Sequence, residues 1–129
     1  MSFPEVRTDI NSLHIHCQAK DISAALPSSV AYVRLPFRGI LGKVSVTIYG
    51  AITVANSTCT VAINGTNVLG TATLTIPTAS SAAGNVVDLS FDKTGVNANY
   101  FNSDDILSFT FTGSTTACPA TCEASVHPY

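Results

Sequence analysis

The chain has 129 residues, which suits one domain with a buried core. Only 11% of its residues are charged, well under the roughly 25% of an average globular domain. The net charge is −2, no basic run offers a footprint for nucleic acid, and no apolar run approaches the ~18 residues of a membrane helix. The composition therefore argues against nucleic acid and membranes as partners, and its sparse charge suits a surface that faces another protein.

The first eleven residues show no periodicity, and we predict that they form an extended N-terminal arm before a single domain over 12–129. The opening segment "MSFPEVRTDINS" lacks the apolar core of a signal peptide. We therefore expect the protein to be made in a reducing cytoplasm.

From Leu13 the sequence alternates with a period of two, which predicts a half-buried strand with Ile15 and Cys17 inward and His14 and His16 outward. Two histidines about 7 Å apart on one face of a strand can bind a transition metal if a third ligand comes from a neighbouring strand. Cys17 lies on the opposite face and no carboxylate follows closely. We therefore predict no metal here, and outward histidines that touch a sister subunit, a larger partner or water.

Seven further short strands are predicted from the same alternation, in segments 28–37, 42–50, 57–63, 68–76, 86–91, 106–113 and 122–128. Asn64-Gly65 predicts a type I′ turn, because both residues tolerate positive φ. The only helix-like candidate is a turn near Ala24 and Ala25 that Pro27 ends. Eight such strands predict an all-β, antiparallel jelly-roll sandwich, with an immunoglobulin-like sandwich as the alternative. The expected inner core is Ile15, Val46, Ile48, Val61, Ile63, Leu74, Leu89, Leu107, Phe109 and Phe111.

The four cysteines divide into two groups. Cys17 and Cys59 fall on inward faces, where a free thiol behaves as a small hydrophobe. Cys118 and Cys122, in "CPATC", are either free thiols or a small disulfide that closes outside the cell. A zinc site made by these two cysteines with His127 is the remaining alternative.

Catalytic signatures are weak. No G-x-S-x-G motif accompanies the serines, and the adjacent Asp104 and Asp105 suit a turn better than acid–base chemistry. The polar segment 97–105 offers oxygen ligands for calcium, but Asn and Asp side chains also cap their own turns. We predict turn capping, no cofactor and no enzymatic activity.

Several segments carry a resemblance to a known family, namely "AKDIS", "SVAYVRLPF", "RGILGKV", "GAITVANSTCTVAINGTNV" and "SAAGNVV". In order and style they are similar to the small β-sandwich cement, or decoration, proteins of tailed bacteriophage heads. That family has Gly-Asp before the penultimate strand, whereas this chain has Ser103-Asp104-Asp105.

The resemblance implies a non-catalytic jelly-roll domain on the outer surface of a virion, a homotrimer that binds the major capsid protein and stabilises the shell. Contact with the capsid or a sister subunit is then expected from the arm and from loops at one end of the domain, including 92–105 or 77–85. The candidate contact residues are Phe3, Pro4, Arg7, His14, His16, Tyr100 and Phe101.

Two alternatives remain open. A receptor- or glycan-binding module of a phage tail or fibre would use exposed aromatic side chains, for which Tyr100 and Phe101 are the candidates. A cupin-like metal enzyme would use His14 and His16.

Overall fold

The computed structural model describes residues 13–23, 30–79, 81–114 and 116–128. The predicted arm, with Phe3, Pro4 and Arg7, and the predicted turn near Ala24 lie outside these residues. The described residues form an all-β sandwich of two antiparallel sheets. In chain order the strands are β1 (Leu13–Ala19), β2 (Val30–Arg34), β3 (Gly39–Ile48), β4 (Ser57–Ile63), β5 (Thr66–Asn67), β6 (Thr73–Ile76), β7 (Val86–Ser90), β8 (Tyr100–Phe101), β9 (Ile106–Thr112) and β10 (Ala120–Pro128).

The two sheets, called sheet A and sheet B, have five strands each. Sheet A has the order β1-β10-β3-β7, and β8 pairs with the beginning of β3. Sheet B has the order β2-β9-β4-β5, and β6 also pairs with β4. Among the described strands, β1 therefore lies at one edge of sheet A and pairs there with β10 alone.

The core lies between the sheets because each long strand alternates apolar and polar residues. In β3, Val44, Val46 and Ile48 are buried while Lys43 is exposed. Side chains that face inward from both sheets form one hydrophobic cluster. Such one-sided burial is the usual state of an antiparallel sheet in a sandwich.

Most of the predicted core is confirmed. Seven of its members are buried, namely Val46, Ile48, Val61, Leu74, Leu107, Phe109 and Phe111. Ile15, Ile63 and Leu89 are only partly buried and pack against the cluster. The predicted core left out the buried residues Ile22 and Ile52, which lie outside the regular strands. It also left out Leu35, which directly follows β2 and is buried.

The predicted count of eight strands is wrong, since the described residues contain ten. The strand predicted over 68–76 begins only at Thr73, as β6, because the chain turns at Gly70, with φ +79°, between β5 and β6. The predicted polar connection before β9 contains the two-residue β8. The type I′ prediction agrees with the structure, since Asn64 and Gly65 have φ values of +51° and +82°.

Candidate functional site

The outer surface of sheet A, called face A, carries charged and hydrogen-bonding side chains. On it Lys43 Nζ lies 3.4 Å from Asp88 Oδ2, with both side chains about half exposed. Gln18 Nε2 donates to the Tyr49 hydroxyl oxygen at 2.9 Å. Opposite charges are thus paired across the neighbouring strands β3 and β7 on face A.

The two histidines of β1 lie on face A, as the alternation predicts. His14 and His16 are exposed, whereas Ile15 and Cys17 are partly buried. His14 Nδ1 lies 3.1 Å from Glu123 Oε1, and the two side chains are 61% and 47% exposed. A pair this exposed contributes at most about 1 kcal/mol to folding stability.

The structure does not assemble a metal centre from the candidate ligands. Over the described ranges there is no group of three His, Cys, Asp or Glu side chains able to hold a metal ion. Cys122 is fully buried on the inward face of β10, while His127 is half-buried at the opposite parity of the strand.

The outer surface of sheet B, called face B, has a different chemistry. Its outward side chains on the four longer strands carry hydroxyl groups or are apolar, with one charge at the end of β2. They are Val30, Tyr32, Arg34, Thr58, Thr60, Ala62, Thr73, Thr75, Ile106, Ser108, Thr110 and Thr112. Arg34 is neutralised by Asp104, at 3.1 Å. Face B is therefore almost free of charge.

A shallow groove of about 440 Å³ runs across face B between β2 and β4. Tyr32 stands at its side with 65% of the residue exposed, and Thr60, Asn64 and Thr110 line it. Elsewhere on the same face the hydroxyls of Thr58 and Thr112 lie 2.7 Å apart, so threonines bond to each other across strands. An aromatic ring beside hydroxyl and amide groups can pack against an uncharged polar partner.

The two aromatic candidates, Tyr100 and Phe101, are neighbours in β8 but differ in exposure. Tyr100 is 51% exposed, but Phe101 is only 3% exposed and its ring lies 6.3 Å from that of Phe37. The expectation of an exposed Phe101 is wrong, because pairing of β8 with β3 turns this side chain into the core.

The oxygen ligands of the loop before β9 are engaged in bonds that shape the chain. Asn99 is 4% exposed, and its Oδ1 accepts the Leu69 N–H at 2.6 Å while its Nδ2 donates to the Leu69 carbonyl at 3.2 Å. Asp105 Oδ2 accepts the Asn102 N–H at 2.8 Å. Asp105 therefore caps its own turn, as predicted, whereas the Asn99 amide ties this loop to the distant residue Leu69.

The cysteines have distinct neighbours, and all four are free thiols in the structure. Cys118 Sγ lies 3.6 Å from the Gly50 carbonyl oxygen, whereas Cys122 stands directly opposite Cys17 across β1 and β10. Hydrogen bonding from Cys122 lowers the pKa of Cys17, and the same contact together with burial raises that of Cys122. Burial raises the pKa of Cys59 to about 12. The disulfide between Cys118 and Cys122 stays a prediction.

Comparison with models of known protein families and with curated proteins finds no match to this chain. Within the described part of the chain, no helix has the length and apolar character needed to cross a membrane.

Two features of the site were not predicted from the sequence. The low charge of face B has one signal in the sequence, namely threonines at the alternate positions 58 and 60, 73 and 75, and 110 and 112. The opposition of Cys17 and Cys122 has no local signal, because it depends on the register of two strands from distant parts of the chain.

Proposed function

We propose that the chain is a capsid decoration protein, which binds the outer surface of a phage head and stabilises the shell without catalysis. The observation that carries the proposal is face B, a broad strand surface almost without charge and with an exposed tyrosine. Centres of protein interfaces are depleted of charged residues and enriched in tyrosine. The resemblance of the sequence to phage cement proteins supplies the kind of partner, the major capsid protein.

We also propose that the sandwich has jelly-roll connectivity. Without the two-residue strands β5 and β8, eight strands remain, in the orders β1-β10-β3-β7 and β2-β9-β4-β6. Along the chain, β1 to β4 alternate between the sheets, and so do β6, β7, β9 and β10. This arrangement of two four-stranded sheets supports a double-sheet jelly roll.

Face B would make the central contact in this proposal, and residues nearer the edges would surround it. His14 and His16 on β1 and Tyr100 before β9 are exposed and remain candidates for contact with a sister subunit of a homotrimer. Several copies held together multiply a modest interface, so a trimer can bind a shell firmly through weak individual contacts.

The test compares one added charge on each face. Thr110 and Thr47 are both half-buried outward threonines in the middle of a sheet, on face B and face A respectively. We expect Thr110→Glu to weaken binding to emptied heads of the phage that encodes the chain by at least about tenfold, because a carboxylate would be desolvated at the interface. Thr47→Glu should bind like the unmodified protein.

Three readouts complete this test: co-sedimentation with heads, the melting temperature of the heads, and the melting temperature of each free variant. Loss of binding by Thr110→Glu in a folded variant, with raised heat resistance of heads only for binding-competent protein, supports the proposal. Failure of the unmodified protein to bind heads contradicts decoration itself. Equal binding by both variants contradicts the assignment of face B.

The groove beside Tyr32 favours one second candidate, a module that binds a neutral glycan. Sugar rings stack on exposed aromatic side chains, and hydroxyl and amide groups like those of Thr60 and Asn64 bond to sugar hydroxyls. A glycan array with the unmodified protein tests this function, with Tyr32→Ala as the control that should abolish any signal. An array without a signal from the unmodified protein contradicts it.

A further inference from the structure

Cys17 and Cys122 form a directly opposed pair on neighbouring antiparallel strands, in the register Cys17 with Cys122 between β1 and β10. Both side chains lie on the inward face, where Cys122 is 0% exposed and Cys17 is partly exposed. Opposed residues of an antiparallel pair have Cα atoms about 4.5 or 5.5 Å apart, depending on the hydrogen-bonding pattern. Both values lie inside the range of about 4.4–6.8 Å that disulfides require.

The competing partner, Cys118, is less well placed. Cys122 lies within β10, which begins at Ala120, and Cys118 lies just before that strand with its thiol on the Gly50 carbonyl. Residues four apart in an extended chain are about 13 Å from each other, beyond the roughly 7 Å limit for bridging without backbone movement. A bond between Cys118 and Cys122 would therefore displace the beginning of β10.

We propose that Cys17 and Cys122 form a cross-strand disulfide when the folded protein meets an oxidising solution. The oxidant is a low-molecular-weight disulfide, RSSR, such as oxidised glutathione. The Cys17 thiolate attacks one sulfur of RSSR, which forms a mixed disulfide and releases RS⁻. Cys122 then gives up its proton and its sulfur attacks Sγ of Cys17, which releases the second RS⁻. The two protein thiols are oxidised by two electrons, and RSSR, with the two protons, becomes two RSH.

The order of these steps follows from access and ionisation. Cys17 is partly exposed, and hydrogen bonding from Cys122 lowers its pKa, so it is the thiol that an external disulfide reaches in reactive form. Cys122 is buried beside it and acts as the resolving thiol. Cys59, fully buried in sheet B, takes no part.

The link would tie the edge strand β1 to the interior strand β10, and thereby join distant parts of the sequence. A cross-link between distant residues stabilises a fold mainly by restricting the unfolded chain. The inference concerns this pair alone and does not depend on the proposed function.

The experiment starts from the folded, fully reduced protein with its four thiols. It is incubated with oxidised glutathione at pH 8, remaining thiols are alkylated in denaturant, and peptides are mapped by mass spectrometry without reduction. We expect two thiols to be lost, one linked peptide pair containing Cys17 and Cys122, and a melting temperature raised on the order of 10 °C. Dithiothreitol should reverse both changes.

Two variants make the result specific. Cys118→Ala should still form the link, whereas Cys17→Ala should form none and should gain no heat resistance from oxidation. A mapped bond between Cys118 and Cys122, an unresolved mixed disulfide at Cys17, or retention of all four thiols would each overturn the proposal. The wild-type peptide map decides alone if a variant does not fold.

Discussion

Gly113, directly after β9, has a backbone conformation that other residues adopt only with strain. Its φ is +96°, and an added Cβ would lie 2.6 Å from the Asn56 carbonyl oxygen. We expect Gly113→Ala to lower the free energy of unfolding by about 2–4 kcal/mol, because left-handed strain and a backbone collision act together. Urea unfolding measures the change.

Gly95 provides the matched control for that substitution. Its φ is +85°, but an added Cβ would have no atom within 4 Å. Gly95→Ala should therefore cost only the strain, about 1 kcal/mol. Equal losses for the two variants would contradict the role assigned to the Asn56 carbonyl.

Cys59 makes stability fall at alkaline pH. Burial, reinforced by the charge of Cys17, raises its pKa from 9.0 to about 12 in the folded protein. The unfolded chain loses this proton near pH 9 and the folded chain keeps it, so rising pH favours unfolding between about pH 9 and 12. From pH 9 to 10.5 we expect the wild type to lose about 1.5 kcal/mol more than Cys59→Ala.

Chemical unfolding at several pH values tests this dependence, with each variant referred to its own stability at pH 7. The comparison at pH 7 removes the constant cost of the cavity left by alanine. Parallel pH profiles for wild type and Cys59→Ala would contradict a raised pKa at this residue.

At the scale of elements, the turn between β4 and β5 also holds β9 in place. Asn64 Oδ1 accepts the Ile106 N–H at 2.9 Å, and the Asn64 N–H donates to the Ile106 carbonyl at 2.8 Å. Asn64 has φ +51°, so its substitution removes both a side-chain acceptor and a residue tolerant of this conformation. We expect Asn64→Ala to destabilise the fold by about 2 kcal/mol.

Asn64→Gly separates the two contributions. Glycine restores the backbone freedom but not the bond to Ile106, so its loss should be about 1 kcal/mol smaller than that of alanine. Denaturant unfolding of both variants gives the comparison. A glycine variant as unstable as the alanine variant would mean that backbone strain at this turn is unimportant.

The elements themselves were largely predictable from sequence, and the reasons are local. Alternation in β1, β3 and β9 directly reports which side chains face the core, and Asn64-Gly65 reports its own turn. The short strands β5 and β8 were not predicted, because two residues are too few to show an alternating pattern. Phe101 was misplaced because its burial depends on pairing with Gly39, a contact across distant sequence.

At the scale of the molecule, one hydrophobic cluster is shared by both sheets, so the described sandwich should unfold as a unit. Tyr49 lies with face A and Tyr32 with face B, so tyrosine fluorescence reports on both sheets. We expect fluorescence and far-ultraviolet circular dichroism to give coincident urea transitions. Separate midpoints would show that the sheets unfold independently.

The two faces of the molecule mark the limit of sequence-based prediction of the site. The sequence predicts that His14 and His16 point outward, but not that Glu123 lies beside His14. Nor does it predict that three of the four charged residues in the described strands lie on face A, since this depends on which strands share a sheet. Long-range strand order, rather than local pattern, therefore creates the uncharged face.

The position of β10 has a consequence for biosynthesis. β10 separates β1 from β3 in sheet A, yet it follows every other described strand in the chain. While a ribosome is still translating the residues before Ala120, β1 and β3 each lack β10, the strand that pairs with one edge of each in the folded protein. The sheet around apolar side chains such as Val44 and Val46 is then incomplete. Exposed edges of this kind invite pairing between nascent chains. Completion of sheet A must therefore wait until β10, which follows the other described strands, has emerged from the ribosome.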